Sequence, residues 1–383
     1  MSDAPPLRVL HVAETIIGGV SSYFSEIIPY QAAKLGSDNL RLLVPHEHAS
    51  ELVGVADRLI ARYHRSGRNT KSLWAFARAL DAELKSFQPT VVHIHSSFAG
   101  VVARPMIALM RPRPSVIYCP HGWSFLMDIP SWKRHTYALI ERSLYRLTDV
   151  VINISRYEDQ QAARFGILPD RCVVVRNAIS PASTMGIASS PFDERYINLL
   201  FVGRFDRQKG LDLLLRAMER LQDTPIRLHV IGSWVHDDRT LQPPDNVNIL
   251  GWMPRTQLDT YYASADGVVM PSRWEGFGLV AIEAMRNGTS VIASDRGALP
   301  ELIENGRTGY IFSLDENDLN DLEGVLRGLD KQRLREMGDA ARAHFTQYFT
   351  AETMNRSLMD IYTGLHDGRA RRQPELQFSR GNL

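Results

Sequence analysis

Short runs of Val, Ile and Leu alternate with longer segments of helical period along the whole chain. The apolar runs fall at 7–13, 40–44, 90–95, 115–119, 150–154 and 172–175. A second series follows at 198–202, 227–231, 247–250, 267–270, 290–293 and 309–312. Most are nearly continuous in β-branched and aliphatic residues, the pattern of parallel strands covered on both faces. Between them the period changes; Val20, Tyr23, Phe24, Ile27 and Ile28, for example, fall on one side of a helix. The alternation predicts an α/β protein of two doubly wound, Rossmann-like domains. Ligands of such sheets bind beyond the carboxyl ends of the strands, so the chemistry is expected on the loops that follow strands and in a cleft where the two domains face each other.

The break between the series is compositional. Residues 179–190 read ISPASTMGIASS, without charge and rich in Ser, Ala and Pro, and suggest a linker over 179–194. The expected division is an N-terminal acceptor-side domain over 1–178 and a C-terminal donor-binding domain over 195–348. A basic tail over 367–383 has little apolar content and is expected to be mobile. A length of 383 residues agrees with two domains.

The net charge of +1 conceals an asymmetry. Residues 1–180 carry 21 Lys and Arg against 15 Asp and Glu, while 181–383 carry 23 against 28. A basic front half favours an anionic partner on that side, such as phosphate, nucleic acid or a membrane surface. No nucleic-acid motif accompanies the charge, which argues against nucleic acid. Two isolated cysteines, Cys119 and Cys172, support neither a disulfide framework nor a zinc site and suit a reducing compartment. The N-terminus lacks the pattern of a signal peptide and no run is long enough to span a bilayer, so the expected location is cytoplasmic.

Two loops carry the candidate chemistry. PSRWEGFGLVAIEAMRN, residues 271–287, places Glu275 in a loop and Glu283 eight residues on, about two turns into a helix. Between them Gly276, Phe277, Gly278 and Leu279 bring backbone N–H groups to the helix start, where an anion is favoured. Two carboxylates flanking such an anion site can accept hydrogen bonds from a polyol, which suits a sugar attached to phosphate. The plainer reading is a helix start with acidic residues. The second loop, VGRFDRQKG over 202–210, supplies Arg204 and Lys209. Two cations beside a helix N-terminus can hold a diphosphate and stabilise its charge as it leaves. Solvated surface cations are the alternative. No Asp-x-Asp clamp for a metal occurs in the chain, so Arg and Lys take the place of a divalent ion and no metal is expected.

With the Gly297-Ala298-Leu299-Pro300-Glu301 element, Asn177-Ala178, and the order of all these segments, the chain resembles the retaining, GT-B-fold glycosyltransferases of family 4 over nearly its whole length. The resemblance implies transfer of a sugar from a UDP- or GDP-linked donor to a saccharide or lipid-linked saccharide, in polysaccharide or glycolipid assembly. It implies that Arg204 and Lys209 contact the donor diphosphate beside Gly203, Glu283 the ribose, and Glu275 the transferred sugar, with backbone contacts from 276–279. It further implies that the turn holding Trp252 and Met253 meets the nucleobase. Gly18 and Gly19 would allow close backbone approach, and His121 would stand near the sugar. A helix over about 349–366 would return to the front domain. The resemblance also implies retention by same-face attack; a covalent intermediate would require a carboxylate beneath the anomeric carbon, and no front-domain carboxylate, Glu14 included, is marked as a nucleophile.

Two other readings stay open. Gly276-x-Gly278-x-x-Ala281 fits a dinucleotide fingerprint, with Asp295 nineteen residues after Gly276, which admits an NAD(P)-dependent oxidoreductase. A non-catalytic nucleotide-sugar-binding subunit would use the same residues. Finally, 132–147 sets Tyr137, Ile140, Leu144 and Leu147 at helical spacing amid Lys133, Arg134, Arg142 and Arg146, and 101–114 mixes apolar residues with Arg104, Arg111 and Arg113. Such segments predict weak peripheral binding to an anionic membrane; an ordinary core helix is the alternative.

Overall fold

A computed structural model describes residues 5–67, 69–182, 190–234 and 242–368. The tail expected to be mobile therefore lies outside the described residues beyond Gly368, as does the middle of the linker. The chain forms two units, one of residues 1–177 with 351–383 and one of residues 178–350.

Unit 1 is a seven-stranded parallel sheet of β1 (Val9–Ala13), β2 (Leu40–Pro45), β3 (Ile60–Tyr63), β4 (Val91–His95), β5 (Ser115–Cys119), β6 (Val150–Asn153) and β7 (Cys172–Val174), in the order β3-β2-β1-β4-β5-β6-β7. Every residue of β1, β4, β5 and β6 is buried, as continuous apolar runs require when helices cover both faces. Helices α1 (Gly19–Leu35), α2 (Thr70–Phe87), α3 (Ser97–Ala108), α4 (Ser131–Tyr145) and α5 (Arg156–Arg164) connect the strands. In α2 the Asn69 side chain caps the start by accepting from the Ser72 N–H. Phe76, Leu80, Leu84 and Phe87 then recur along its buried side.

Unit 2 repeats the plan with six parallel strands: β8 (Ile197–Val202), β9 (Ile226–Ile231), β10 (Val247–Gly251), β11 (Gly267–Met270), β12 (Ser290–Ser294) and β13 (Gly309–Phe312), in the order β10-β9-β8-β11-β12-β13. Helices α6 (Leu211–Glu219), α7 (Arg255–Ser264), α8 (Leu279–Arg286), α9 (Leu299–Leu302), α10 (Asn320–Arg327) and α11 (Lys331–Tyr348) complete it. The last helix, α12 (Ala351–His366), belongs to unit 1 and packs on α1, where the Asn355 amide donates to the Glu26 carbonyl.

In each sheet the strand order reverses between two central strands, β1 and β4 in unit 1, β8 and β11 in unit 2. A crevice opens at the carboxyl ends there, because successive connections leave to opposite faces. The loops holding Gly18–Gly19, residues 203–210 and residues 271–278 follow β1, β8 and β11, while His121 follows β5, the Trp252 turn follows β10, Gly297 follows β12 and Asn177 follows β7.

Candidate functional site

In unit 2 the loop after β8 runs over Gly203 to Gly210. Its shape depends on glycine: Gly232 lies so close that a Cβ would meet the Gly203 carbonyl oxygen at 1.8 Å, and Gly210 caps α6 with φ 71°. The loop after β11 is tied to it. The Arg273 N–H donates to the Gln208 carbonyl, and its guanidinium donates to the Arg207 carbonyl and bonds Asp212 and Glu316. These bonds hold Arg273 charged and raise its pKa. A third strap is Gly297 (φ 64°), where a Cβ would strike the Glu275 carbonyl oxygen at 2.1 Å, and Ala298 N–H donates to that same carbonyl.

This framework brings Lys209 and Glu275 together. The Lys209 ammonium lies 2.6 Å from the Glu275 carboxylate, with both side chains largely shielded, and the Ser272 hydroxyl reaches the same oxygen at 3.5 Å. Arg204, half exposed, is 3.0 Å from Asp206 and donates to Gln208 at 2.9 Å. Each of the two cations has a carboxylate partner, because leaving a charge unpaired in a half-dry loop costs more than pairing it. Lys209 and Glu275 act as one group.

Glu283 is buried on α8, accepting from the Tyr262 hydroxyl at 2.9 Å and from Arg255 at 3.1 Å. The helix starts at Leu279 with Gly278 as its cap at φ 107°, so Glu283 sits little more than one turn in, not two. Phe277 is buried against Phe349, leaving its backbone as the part that a ligand could meet. Trp252 is 71% exposed on the turn after β10, with Met253 partly covered beside it.

In unit 1, Gly18 (φ 72°) caps α1 and, with Gly19, is exposed after β1. Glu14, on the same loop, is buried and ion-paired to Arg65 at 2.7 Å. His121 follows β5 and Pro120 with a left-handed backbone, φ 52°. Its Nε2 lies 2.9 Å from Nδ1 of the buried His95, and the Tyr23 ring packs edge-on against it at 4.7 Å. Burial pushes its pKa down to about 3, so the ring is neutral near pH 7.

Residues 186–343 match the family described as glycosyl transferases group 1, and residues 18–178 match a glycosyl transferase 4-like domain. The chain belongs to the group 1 glycosyltransferases. An uncharacterized 41.2 kDa protein in the cps region of Klebsiella pneumoniae is 33% identical to this transferase over 93% of the chain and 99% of that protein. A glycogen synthase of Mycobacterium tuberculosis is 30% identical over 76% of the chain and 73% of that enzyme. Among solved structures, sucrose-phosphate synthase from Thermosynechococcus elongatus superposes with a TM-score of 0.77 at 19% identity, covering 94% of this chain and 100% of that one. Anabaena Alr3699/HepE in complex with UDP gives 0.73 at 17%, with the same coverage. These structures show the GT-B fold.

Membership in this family removes the oxidoreductase alternative, and the local geometry agrees. Pro271 to Glu275 separate β11 from Gly276, and it is Gly278 that caps the helix; in a dinucleotide fingerprint the first glycine follows the strand directly. Two cations of the basic segments of unit 1 are paired inside the unit. Arg104 is buried in an ion pair with Glu141 at 2.7 Å, which also accepts from Tyr118, and Arg113 pairs with Asp149. The buried side of α4 is Ala138, Glu141 and Tyr145, so the apolar residues Trp132, Tyr137, Leu139 and Ile140 stay exposed. The sequence reading also missed Arg273, Tyr262 and Arg255. Arg273 lies inside the singled-out loop, but its tie to Asp212 depends on the pairing of β8 with β11.

Proposed function

We propose that this transferase is retaining and metal-independent, and moves a hexose from a UDP- or GDP-linked donor to a saccharide or lipid-linked saccharide during polysaccharide or glycolipid assembly. The observation that carries the reading is the joining of Lys209 to Glu275, with Arg204 on the same loop as Lys209, at the point where the strand order of unit 2 reverses. Anabaena Alr3699/HepE, of the same fold, is seen with UDP and with UDP-glucose, and the K. pneumoniae relative is named for a cps region, which supports both donor and pathway.

On this reading the diphosphate draws Arg204 away from Asp206 and lies against Lys209. As the glycosyl bond breaks, negative charge grows on the leaving phosphate, and two cations in place of a metal stabilise it without reorganising. The leaving phosphate takes the acceptor's proton on the same face. Glu275, held by Lys209, accepts from sugar hydroxyls, Glu283 from the ribose, and the Trp252–Met253 turn meets the base. Unit 1 contributes Gly18, Gly19 and His121.

The acceptor side rests on a second observation. On α3, Phe98 and Val101 are exposed, as is Leu109 just past its end, and α4 exposes Trp132, Leu139 and Ile140 beside Lys133 and Arg142. Apolar residues flanked by cations suit weak contact with an anionic bilayer, as a lipid-linked acceptor requires. No helix among the described residues is long and apolar enough to cross a membrane.

The test is a panel of nucleotide sugars with saccharide and lipid-linked acceptors in EDTA, scored for transfer, anomeric configuration and thermal shift. UDP- or GDP-sugar turnover with retention is expected. A strict need for a divalent ion, or an inverted product, would overturn the mechanism; donor binding without turnover on any acceptor would favour the non-catalytic subunit. Sedimentation with anionic vesicles at low salt tests the membrane contact, which fails if the protein stays in the supernatant.

A further inference from the structure

Behind His121 lies a row of buried polar rings that the transfer reaction does not use directly. His11 on β1 and His95 on β4 are fully buried on neighbouring strands. Gln31 is the polar residue in the otherwise apolar buried stripe of α1. The Gln31 Nε2 donates to the Tyr362 hydroxyl at 3.3 Å, which turns its carbonyl oxygen to His11 Nε2 at 2.7 Å. His11 Nδ1 lies 3.0 Å from His95 Nε2, and His95 Nδ1 lies 2.9 Å from His121 Nε2.

Direction follows from the chemistry of each group. An amide oxygen only accepts, so His11 carries its proton on Nε2. A neutral imidazole has one N–H; His11 Nδ1 must therefore accept, and His95 must donate from Nε2. The same step repeated puts the His121 proton on Nε2. Neutrality is set by burial, which lowers His11 to about 4 and His95 well below its usual range. Phe24, edge-on to His95 at 4.7 Å and to His11 at 5.8 Å, excludes water from the row.

We propose that Gln31, His11 and His95 are positioning residues that lock His121 in a single tautomer, proton on Nε2 and lone pair on Nδ1, so that it accepts a hydrogen bond from a hydroxyl of the bound sugar. The last clause rests on the placing of His121 at the transferred sugar; the locked tautomer does not. The row also explains how His121 keeps a left-handed backbone: a strained φ persists where surrounding bonds fix the side chain. His93 stands outside the row, its Nδ1 paired with Tyr362 at 2.8 Å. Nitrogens of His11, His93 and His95 lie within 4.8 Å of one another, but those of His11 and His95 are all spent on the row, and a metal ion would break it.

The experiment is long-range 1H–15N correlation on the full chain labelled at histidine, without donor, near pH 7. His121 is expected to show protonated Nε2 and bare Nδ1. In Gln31→Leu and in the shape-conserving His95→Phe, it should become a mixture of tautomers, with kcat/KM for transfer reduced about fivefold to tenfold, the loss of roughly one hydrogen bond. Phe24→Leu, which disturbs packing but no bond of the row, should keep the tautomer. The proposal is overturned by a mixed or Nδ1-protonated His121 in the unaltered protein, or by an unmoved tautomer in both variants. It is equally overturned if Phe24→Leu moves it as far, or if zinc bound in the purified protein shifts the three buried rings. A locked tautomer whose release leaves kcat/KM unchanged overturns the sugar contact and, with it, the assigned place of His121.

Discussion

The two units share one topology and prepare their loops in opposite ways. Unit 2 places formal charges at its strand-order reversal and pairs each one, Lys209 with Glu275, Arg204 with Asp206, Arg273 with Asp212 and Glu316. Unit 1 places one ion pair there, Glu14 with Arg65, and otherwise neutral imidazoles linked by hydrogen bonds between rings. Its principal charge pair in the core, Arg104 with Glu141, lies away from that point, between α3 and α4. The comparison teaches that a doubly wound sheet dictates where a site lies and leaves its electrostatics to a few side chains. On the proposed function, a charged leaving group calls for the first arrangement, and orientation of a neutral hydroxyl for the second.

The largest expected effect would break the comparison at the core of unit 1. Glu141→Ala leaves the Arg104 guanidinium buried and unpaired, which should cost about 3–5 kcal/mol in a denaturant titration. The double replacement Arg104→Met with Glu141→Leu should recover most of it. If the single change costs under ~1 kcal/mol, unit 1 does not hold a desolvated ion pair. Next is Lys209→Ala in unit 2. Loss of a donor to the developing phosphate charge should lower kcat by a factor of about a hundred to a thousand, about 2.7–4 kcal/mol. Arg204→Ala should follow it; full activity in both variants would remove the cationic clamp.

The pH response should separate the units further. His11 and His121 titrate in the folded protein near 4 and 3, below the ordinary histidine range near 6.5. Between those values the unfolded chain binds more protons than the folded one, so stability falls as pH drops below about 6.5 and levels off only below the folded values. Each such histidine contributes up to about 1.4 kcal/mol per pH unit in that window. Melting temperature measured from pH 7.5 to 5.0 should fall, and His95→Phe should flatten the curve; an unchanged slope in that variant would contradict neutral burial of the row. The smallest effect is a matched control. Asn69 caps α2 in unit 1 and Asp330 caps α11 in unit 2, and Ala at either should cost about 1 kcal/mol. A clear inequality between them would mean that the units differ in more than their site chemistry.

Much of this was readable from residues in order. Twelve strands fall where the apolar runs place them, and β3 was missed because its four residues, Ile60 to Tyr63, form a short edge strand with only Tyr63 fully buried. The loops of unit 2 were legible because glycines and charges sit at fixed offsets after strands. The pairing of Lys209 with Glu275 was not, since it depends on loops after two different strands meeting. The same holds for the histidine row: the spacing of His93 and His95 puts both on one face of a strand, but His11 joins them only through the register that sets Ala13 beside His95. One signal was present and passed over, the glutamine at the end of an otherwise apolar stripe on α1.

The chain leaves unit 1 once and re-enters it once, and the two passages run side by side: Ile179 N–H donates to the Phe349 carbonyl at 3.1 Å, and Ile179 bridges Thr350. A gene fragment stopped at the first crossing would therefore lack α12 and with it Tyr362, baring an apolar side of α1 and two of the internal rings to water. Splitting this protein for expression calls for a graft, in which residues 351–368 are spliced back onto the amino-terminal piece, rather than for a simple cut.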